Sequence, residues 1–174
     1  KLVGLVAIFP DSNFLALSAN VSSGTYSVNW GDGTSTTGIS SGVQTNKQYT
    51  YSTPALVGTE CSRGYRQAIV TITPDSGNLI AVNLNLKHTQ ASLNSYSPGW
   101  LDVAIAGSLT SLVVGGSTVY NSLLERFRNI GTNTITSFLN IFNYCYNLRA
   151  VELYTSFGTN FTNAFGLCYA LETV

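Results

Sequence analysis

The sequence predicts a mainly β protein in two unlike halves, a β-sandwich followed by a short solenoid of α/β repeats. Three observations carry that expectation. Residues 1–88 break into short runs of Val, Ile, Leu, Tyr and Thr separated by Gly, Ser, Asn and Pro clusters. From about residue 101 the pattern changes, and like residues return 23 positions later. The chain is also short of charge: 9% of its 174 residues are Asp, Glu, Lys or Arg, against roughly 25% in an ordinary soluble domain. Hydrophobic residues at 44% are enough for a packed core.

In the first half the candidate strands are 2–9, 14–19, 25–29, 48–51, 68–73 and 79–86. Alternation is clearest in "IAVNLNLKH", where Val82, Leu84 and Leu86 face one side and Asn83, Asn85 and Lys87 the other. Between the third and fourth strands stands "NWGDGTS". An Asp-Gly pair after an alternating strand is a hairpin signal, because the turn needs positive φ and Gly supplies it without steric cost. The Asp32 carboxylate can cap the turn's own N–H groups, and Trp30 can plug the space between sheets. Calcium is the competing reading of Asp32, but such a site needs several oxygen ligands and no second acid stands nearby in sequence.

These residues carry a resemblance. "YSVNWGDGTSTTG", followed by "KQYTY", resembles the PKD-like family of immunoglobulin-fold sandwiches. The match is good over Trp30, Gly31, Asp32, Gly33 and Thr34 and fair at Gln48-Tyr49, and the insertion 52–63 departs from the compact family pattern. The resemblance covers about half the chain and implies a sandwich domain over 1–90.

The second half repeats. Phe142 returns as Phe165, Cys145 as Cys168, Tyr146 as Tyr169, Leu148 as Leu171 and Val151 as Val174, all at that one spacing. An earlier unit is read at Leu109-x-x-Leu112-x-Val114, whose spacing matches Leu148-x-x-Val151-x-Leu153. The rhythm resembles leucine-rich repeats of the bacterial-surface-antigen type. That resemblance implies short helices near 135–144 and 161–167, each feeding a strand such as 150–153. It gives a linker and solenoid start over 91–108 and repeats over 109–174. "LLERFRNI" reads as an amphipathic helical turn, with Leu123, Leu124 and Phe127 inward and Glu125, Arg126 and Arg128 outward. One repeat cannot bury its own apolar face, so the expectation is that further repeats or a partner chain continue the stack past Val174. Lys1 and the lack of Met predict a numbering that begins after processing or inside a longer polypeptide.

Little in the chain proposes chemistry, and no catalytic residue, cofactor or metal is expected. The one histidine, His88, stands at a strand end. There is no Walker loop or His-x-x-x-His pair, and the carboxylates are scattered singly. Cys145 and Cys168 are expected to stack about 4.8 Å apart as a ladder of small buried thiols, with a disulfide as the alternative. Arg63, Tyr65 and Arg66 read as a solvated loop or as a contact for glycan or phosphate. Tyr146 and Tyr169 join them as a candidate contact surface, since tyrosine offers a flat face at low entropic cost.

Lys plus Arg equals Asp plus Glu at 8 each, which gives no field to attract nucleic acid or an anionic membrane. No apolar run reaches the roughly 18 residues of a membrane helix. The expected function is a non-enzymatic structural or adhesive module at an extracellular or virion surface. A phage virion appendage comes first (tail, head-fibre or decoration protein), then a bacterial adhesin or filament subunit. A carbohydrate-binding accessory module of a secreted hydrolase is the reading from another class. The expected partners are other protein subunits, in a homo-oligomer or fibre, with surface glycans as a further candidate.

Overall fold

A computed structural model describes residues 1–11, 13–91, 96–154 and 157–174. It is mainly β. Among the described residues nine strands form one mixed sheet in the order β3-β2-β5-β1-β6-β8-β9, with β4 added to β2 and β7 added to β5. β1 (Leu2–Ile8) runs antiparallel to β5 (Arg66–Asn83) on one side and to β6 (Trp100–Ile105) on the other. It buries Leu2, Val6 and Ile8 and leaves Val3 on the open face.

β2 (Asn13–Asn29) and β5 are 17 and 18 residues long, and each replaces two of the expected strands. The chain does not break at the polar residues between them. Instead the β2–β5 register shifts repeatedly between Asn20 and Tyr26, so these residues are absorbed as bulges. The shifts change which side chains point inward. Leu15, Leu17, Ala19 and Val21 are buried before them, and Tyr26, Val28 and Trp30 after. The two halves of β2 also take different neighbours: β4 (Gln44–Tyr49) lies along residues 13–18, and β3 (Ser35–Ser40) along residues 25–29. β3 has no apolar alternation to announce it, since Ile39 is its one buried residue.

Two segments of the second half differ from expectation. Residues 91–108, read as linker, contain β6, which joins β1 to the strands beyond and buries Trp100, Val103 and Ile105. The expected helical turn at 123–130 is instead β8 (Arg126–Asn129). Phe127 and Asn129 are fully buried and alternate with the solvent-facing Arg126 and Arg128, which is the period of a strand. β7 (Ser111–Val113) lies parallel to the end of β5, and β9 (Ala150–Leu153) parallel to β8. No α-helix occurs among the described residues, and a single 3₁₀ turn spans Pro54–Leu56. One apolar core runs from Leu15, Val28 and Trp30 in the first half to Phe127, Phe142 and Leu148 in the second.

Candidate contact surface

Strands β6, β8 and β9 set the spacing of the second half. Asp102 is level with Arg126, Arg126 with Ala150, and Ala150 with Thr173, all in parallel. Each step takes up nearly the same length of chain, so the segments form rungs stacked one on the next. Val103, Phe127 and Val151 are in register and buried together. The structural counterpart of Val151 is therefore Phe127. Leu112, assigned to that place by the apolar spacing, sits on β7 beside Val82, and Leu109 bridges to Asn133. The spacing of three apolar residues could not distinguish these registers.

The segments expected as helices are chains of tight turns. N–H groups of Ile141, Asn143, Cys145 and Leu148 donate to carbonyls three residues back, those of Phe138, Asn140, Phe142 and Cys145. Asn140 and Tyr144 hold positive φ of 56° and 66°, which no α-helix tolerates. The pattern recurs in the following rung, with Asn163 and Leu167 at 50° and 62°. The N–H groups left over point along the stack. Those of Phe138, Asn140, Phe142 and Tyr144 donate to the carbonyls of Asn160, Thr162, Ala164 and Gly166 at 2.7–3.1 Å. Bonding between rungs thus takes the place of bonding within a helix.

Side chains stack in the same direction. Phe138 lies on Phe161 with ring centroids 5.0 Å apart and planes within 3°. Phe142 lies on Phe165 at 5.5 Å and 9°, and Tyr146 on Tyr169 at 5.8 Å and 8°. Phe127 meets Phe142 edge-on at 5.0 Å and closes the row from inside. On the outer side Tyr120 stacks on Tyr144 at 4.4 Å, and Tyr146 packs edge-on against both. Tyr120, Tyr144, Tyr146 and the exposed Tyr169 form one solvent-facing aromatic cluster. The sequence offers Tyr144, Tyr146 and Tyr169 of these, with Tyr154, as contact tyrosines of the repeat half, and it misses Tyr120, which is not in the register of the repeat.

Cys145 is buried and Cys168 half-buried in this stack, and all three cysteines are free thiols. Burial pushes the Cys145 thiol well above its ordinary range, with the neighbouring Cys168 adding to the effect. Burial raises Cys168 to about 11. Leu148 and Val151 are buried, Leu171 is half-buried against the same core, and Val174 is exposed.

Polar groups that the repeat did not reveal fix the corners. Asn121 is fully buried and donates to the carbonyls of Leu84 (3.3 Å) and Val114. Asn85 donates to the Val119 carbonyl at 2.7 Å, Asn129 accepts from the Gly131 N–H at 3.0 Å, and Asn133 donates to the Tyr154 carbonyl. A side-chain amide can satisfy backbone groups at a bend where no strand neighbour exists. Asn-x-Gly at 129–131 was the available signal. Gly131 presses against the backbone of Gly107, the corresponding corner of the rung before, and a β-carbon there would collide with it. On the open face of the sheet Asp102 pairs with Arg128 at 3.2 Å and Arg126 with Glu152 at 2.5 Å.

The remaining singled-out residues lie elsewhere. Trp30, Gly31, Asp32 and Gly33 form the β2–β3 connection, where the Trp30 N–H donates to the Thr34 carbonyl at 3.0 Å. Gly31 and Gly33 hold φ of 75° and 87°, and a β-carbon on Gly31 would sit 2.6 Å from the Ile69 backbone. The Asp32 carboxylate accepts the Thr34 N–H at 3.1 Å and its hydroxyl at 2.6 Å, and it pairs with Lys47 at 2.5 Å. Burial alone would raise its carboxyl, and the hydrogen bonds from Lys47 and Thr34 outweigh this and hold it below the usual range. Trp30 is buried, its indole N–H donates to Thr36 at 2.9 Å, and its carbonyl accepts the Tyr49 hydroxyl at 2.8 Å.

Arg63, Tyr65 and Arg66 do not make a common contact surface. Tyr65 is buried edge-on against Phe9 in a small second core with Ala7 and Leu101. Arg66 pairs with Glu60 at 2.7 Å and lies over the Tyr51 ring, and Arg63 pairs with Glu125. Beside them burial raises the Cys61 thiol, but backbone hydrogen bonds from Tyr65 and Arg63 and the Arg63 charge hold it below its ordinary value. His88 is buried on Phe14, and its Nδ1 accepts the Gln90 N–H at 3.0 Å.

No group of three or more His, Cys, Asp or Glu could hold a metal ion among the described residues, and no helix there is long and apolar enough to cross a membrane. Compared with protein families, curated proteins and solved structures, the chain matches none.

Proposed function

We propose that this chain is a non-enzymatic structural and adhesive module of an extracellular assembly, most concretely a phage virion appendage such as a tail, head-fibre or decoration protein. In this reading residues 1–90 are a PKD-like immunoglobulin-fold spacer. The rungs are leucine-rich repeats of the bacterial-surface-antigen type, with turns where the helices would be. A bacterial adhesin or extracellular filament subunit would use the same surface on a cell instead of a virion.

One observation carries the proposal. Between Glu152 and Glu172 there is no charged residue, yet Tyr154, Phe157, Phe161 and Tyr169 are all more than half exposed. Large rings kept in water over a neutral stretch mark a contact surface, because their burial against a partner is favourable and costs no ion desolvation. His88 supports a non-catalytic role: its Nδ1 is occupied by a backbone N–H and its ring is covered by Phe14, so it is not offered as a base.

The tyrosine cluster favours a second reading, a carbohydrate-binding accessory module of a secreted hydrolase. Tyr120, Tyr144, Tyr146 and Tyr169 combine apolar faces with hydroxyl edges, the chemistry that meets a sugar ring. Light scattering over a range of concentrations, run beside a glycan array, tests both. Assembly without glycan binding is the expected result. Saturable glycan binding by a monomer would favour the accessory module, and a monomer that binds no glycan would overturn the proposal.

A further inference from the structure

We infer that Cys145 and Cys168 form a redox-sensitive staple: a disulfide oxidant joins their sulfurs and pins the rung 161–171 to the rung before it. The oxidant required is a small disulfide such as oxidised glutathione.

The geometry selects this pair from the three cysteines. The two residues sit at the same place in successive rungs, and the rungs are bonded together on both sides of them. Before them the Tyr144 N–H donates to the Gly166 carbonyl at 3.1 Å, and after them the Ala170 N–H donates to the Tyr146 carbonyl at 3.3 Å. Chains joined this way lie about 4.8 Å apart, inside the roughly 4.4–6.8 Å between α-carbons that a disulfide bridges. The stacked pairs Phe142–Phe165 and Tyr146–Tyr169 flank the thiols and hold that register. Cys168 turns toward its counterpart. Its thiol donates to the Phe142 carbonyl at 3.1 Å, the same carbonyl that accepts the Cys145 N–H at 3.1 Å. Each residue also acts on the other: Cys168 adds to the rise that burial gives the Cys145 thiol, and the Cys145 backbone partly offsets the rise at Cys168. Cys61 does not compete. It packs with Phe9, Tyr65 and Leu101 in the small second core, whereas Cys145 and Cys168 belong to the main one. β1 divides the two, giving Val6 and Ile8 to one core and Leu5 and Ala7 to the other.

Burial fixes the order of events. Cys145 is buried and Cys168 half-buried, so a dissolved disulfide meets Cys168 first. The Cys168 thiol loses its proton, its sulfur attacks one sulfur of the oxidant, and a first small thiolate leaves. Cys145 then loses its proton and attacks the Cys168 sulfur of the mixed disulfide, expelling the second small thiolate. Two protein thiols are oxidised, one small disulfide is reduced to two thiols, and the two protons end on those products. The new bond closes residues 145–168 into a loop and so restricts the unfolded chain. It ties down the rung whose Phe161 and Tyr169 are both more than half exposed.

The test holds the full chain, folded and free of denaturant, in glutathione buffers of rising oxidised fraction. Free thiols are trapped with an alkylating agent and mapped by mass spectrometry. The expected product is a single link, Cys145 to Cys168, with Cys61 outside it. Its unfolding midpoint in urea should stand above that of the reduced chain and fall back when dithiothreitol is added. Exchange of the Phe138, Asn140, Phe142 and Tyr144 amides, which bond to the stapled rung, should slow by at least about tenfold on oxidation. Cys61→Ser should keep the link and the gain, and Cys168→Ser should lose both. In urea the same buffers should give all three pairings. A folded chain that yields the same mixture as the unfolded one would overturn the inference. So would folded protein in which Cys168 stops at the glutathione adduct, or a linked form with no gain in midpoint.

Discussion

Rungs 138–151 and 161–174 carry matching residues through the same turns, yet one is interior and the other is surface. Phe138 is 1% exposed and Phe161 is 51%; Val151 is 3% exposed and Val174 is 73%. Backbone angles match as closely as the residues do, with Asn140 and Tyr144 repeated by Asn163 and Leu167. Neither side-chain identity nor local conformation decides burial here. Position in the stack decides it, because each rung's apolar face is covered only by its neighbour.

The largest test of that contrast is a pair of truncations. Phe142→Ala opens a cavity between Phe127 and Phe165 and is expected to cost about 3–5 kcal/mol, whereas Phe165→Ala, with one side half open, should cost about 1–2 kcal/mol. Urea unfolding of the two variants measures both, and equal losses would break the distinction between the rungs.

A smaller difference is expected at the thiols. With its pKa at about 11 rather than the ordinary 9.0, Cys168 holds less thiolate at neutral pH, so alkylation should run about 100-fold slower than for a free thiol. Thiolate forms as pH rises toward the pKa, so the rate should climb about tenfold per pH unit until about pH 11. Cys61, with its lowered pKa, should react first, and the buried Cys145 only as the chain unfolds. Mass spectrometry of alkylated peptides reads the order, and modification of Cys145 ahead of Cys168 would contradict it.

The smallest effect sharpens the comparison at the left-handed turns. Leu167→Gly relieves positive φ at an exposed residue and should stabilise by up to about 1 kcal/mol. Tyr144→Gly, at a similar angle, also loses the stack on Tyr120 and should gain less or lose outright. Thermal unfolding of the two variants would separate conformation from contact.

How much of this was legible in the sequence follows the same division. The regular return of Phe142, Cys145 and Tyr146 announced real neighbours, because stacking side chains of like shape selects like residues. The helices did not follow. Nothing in the apolar spacing of 135–144 shows that Asn140 and Tyr144 sit at positive φ or that their N–H groups bond to another rung. β8 was hidden because Leu123, Leu124 and Phe127 fit a helical stripe as well as a strand, and only the burial of Asn129 separates the two. At Asp32 the Gly-Asp-Gly pattern announced a turn. Lys47, its partner, stands on β4, beyond the whole of β3, and had no local signal. Tyr65 read as part of a solvated loop or as a contact residue from its basic neighbours, but the fold turned it inward against Phe9.

The corner glycines set how closely successive layers can approach. At Gly131 bare backbone meets the bare backbone of Gly107, and a β-carbon on Gly131 would fall on the Gly107 carbonyl oxygen. Even a methyl group there, as in Gly131→Ala, has to be absorbed by one layer sliding or tilting on the next. The glycine at this bend therefore acts as a spacer gauge, holding the pitch of the pile to the thickness of the main chain alone.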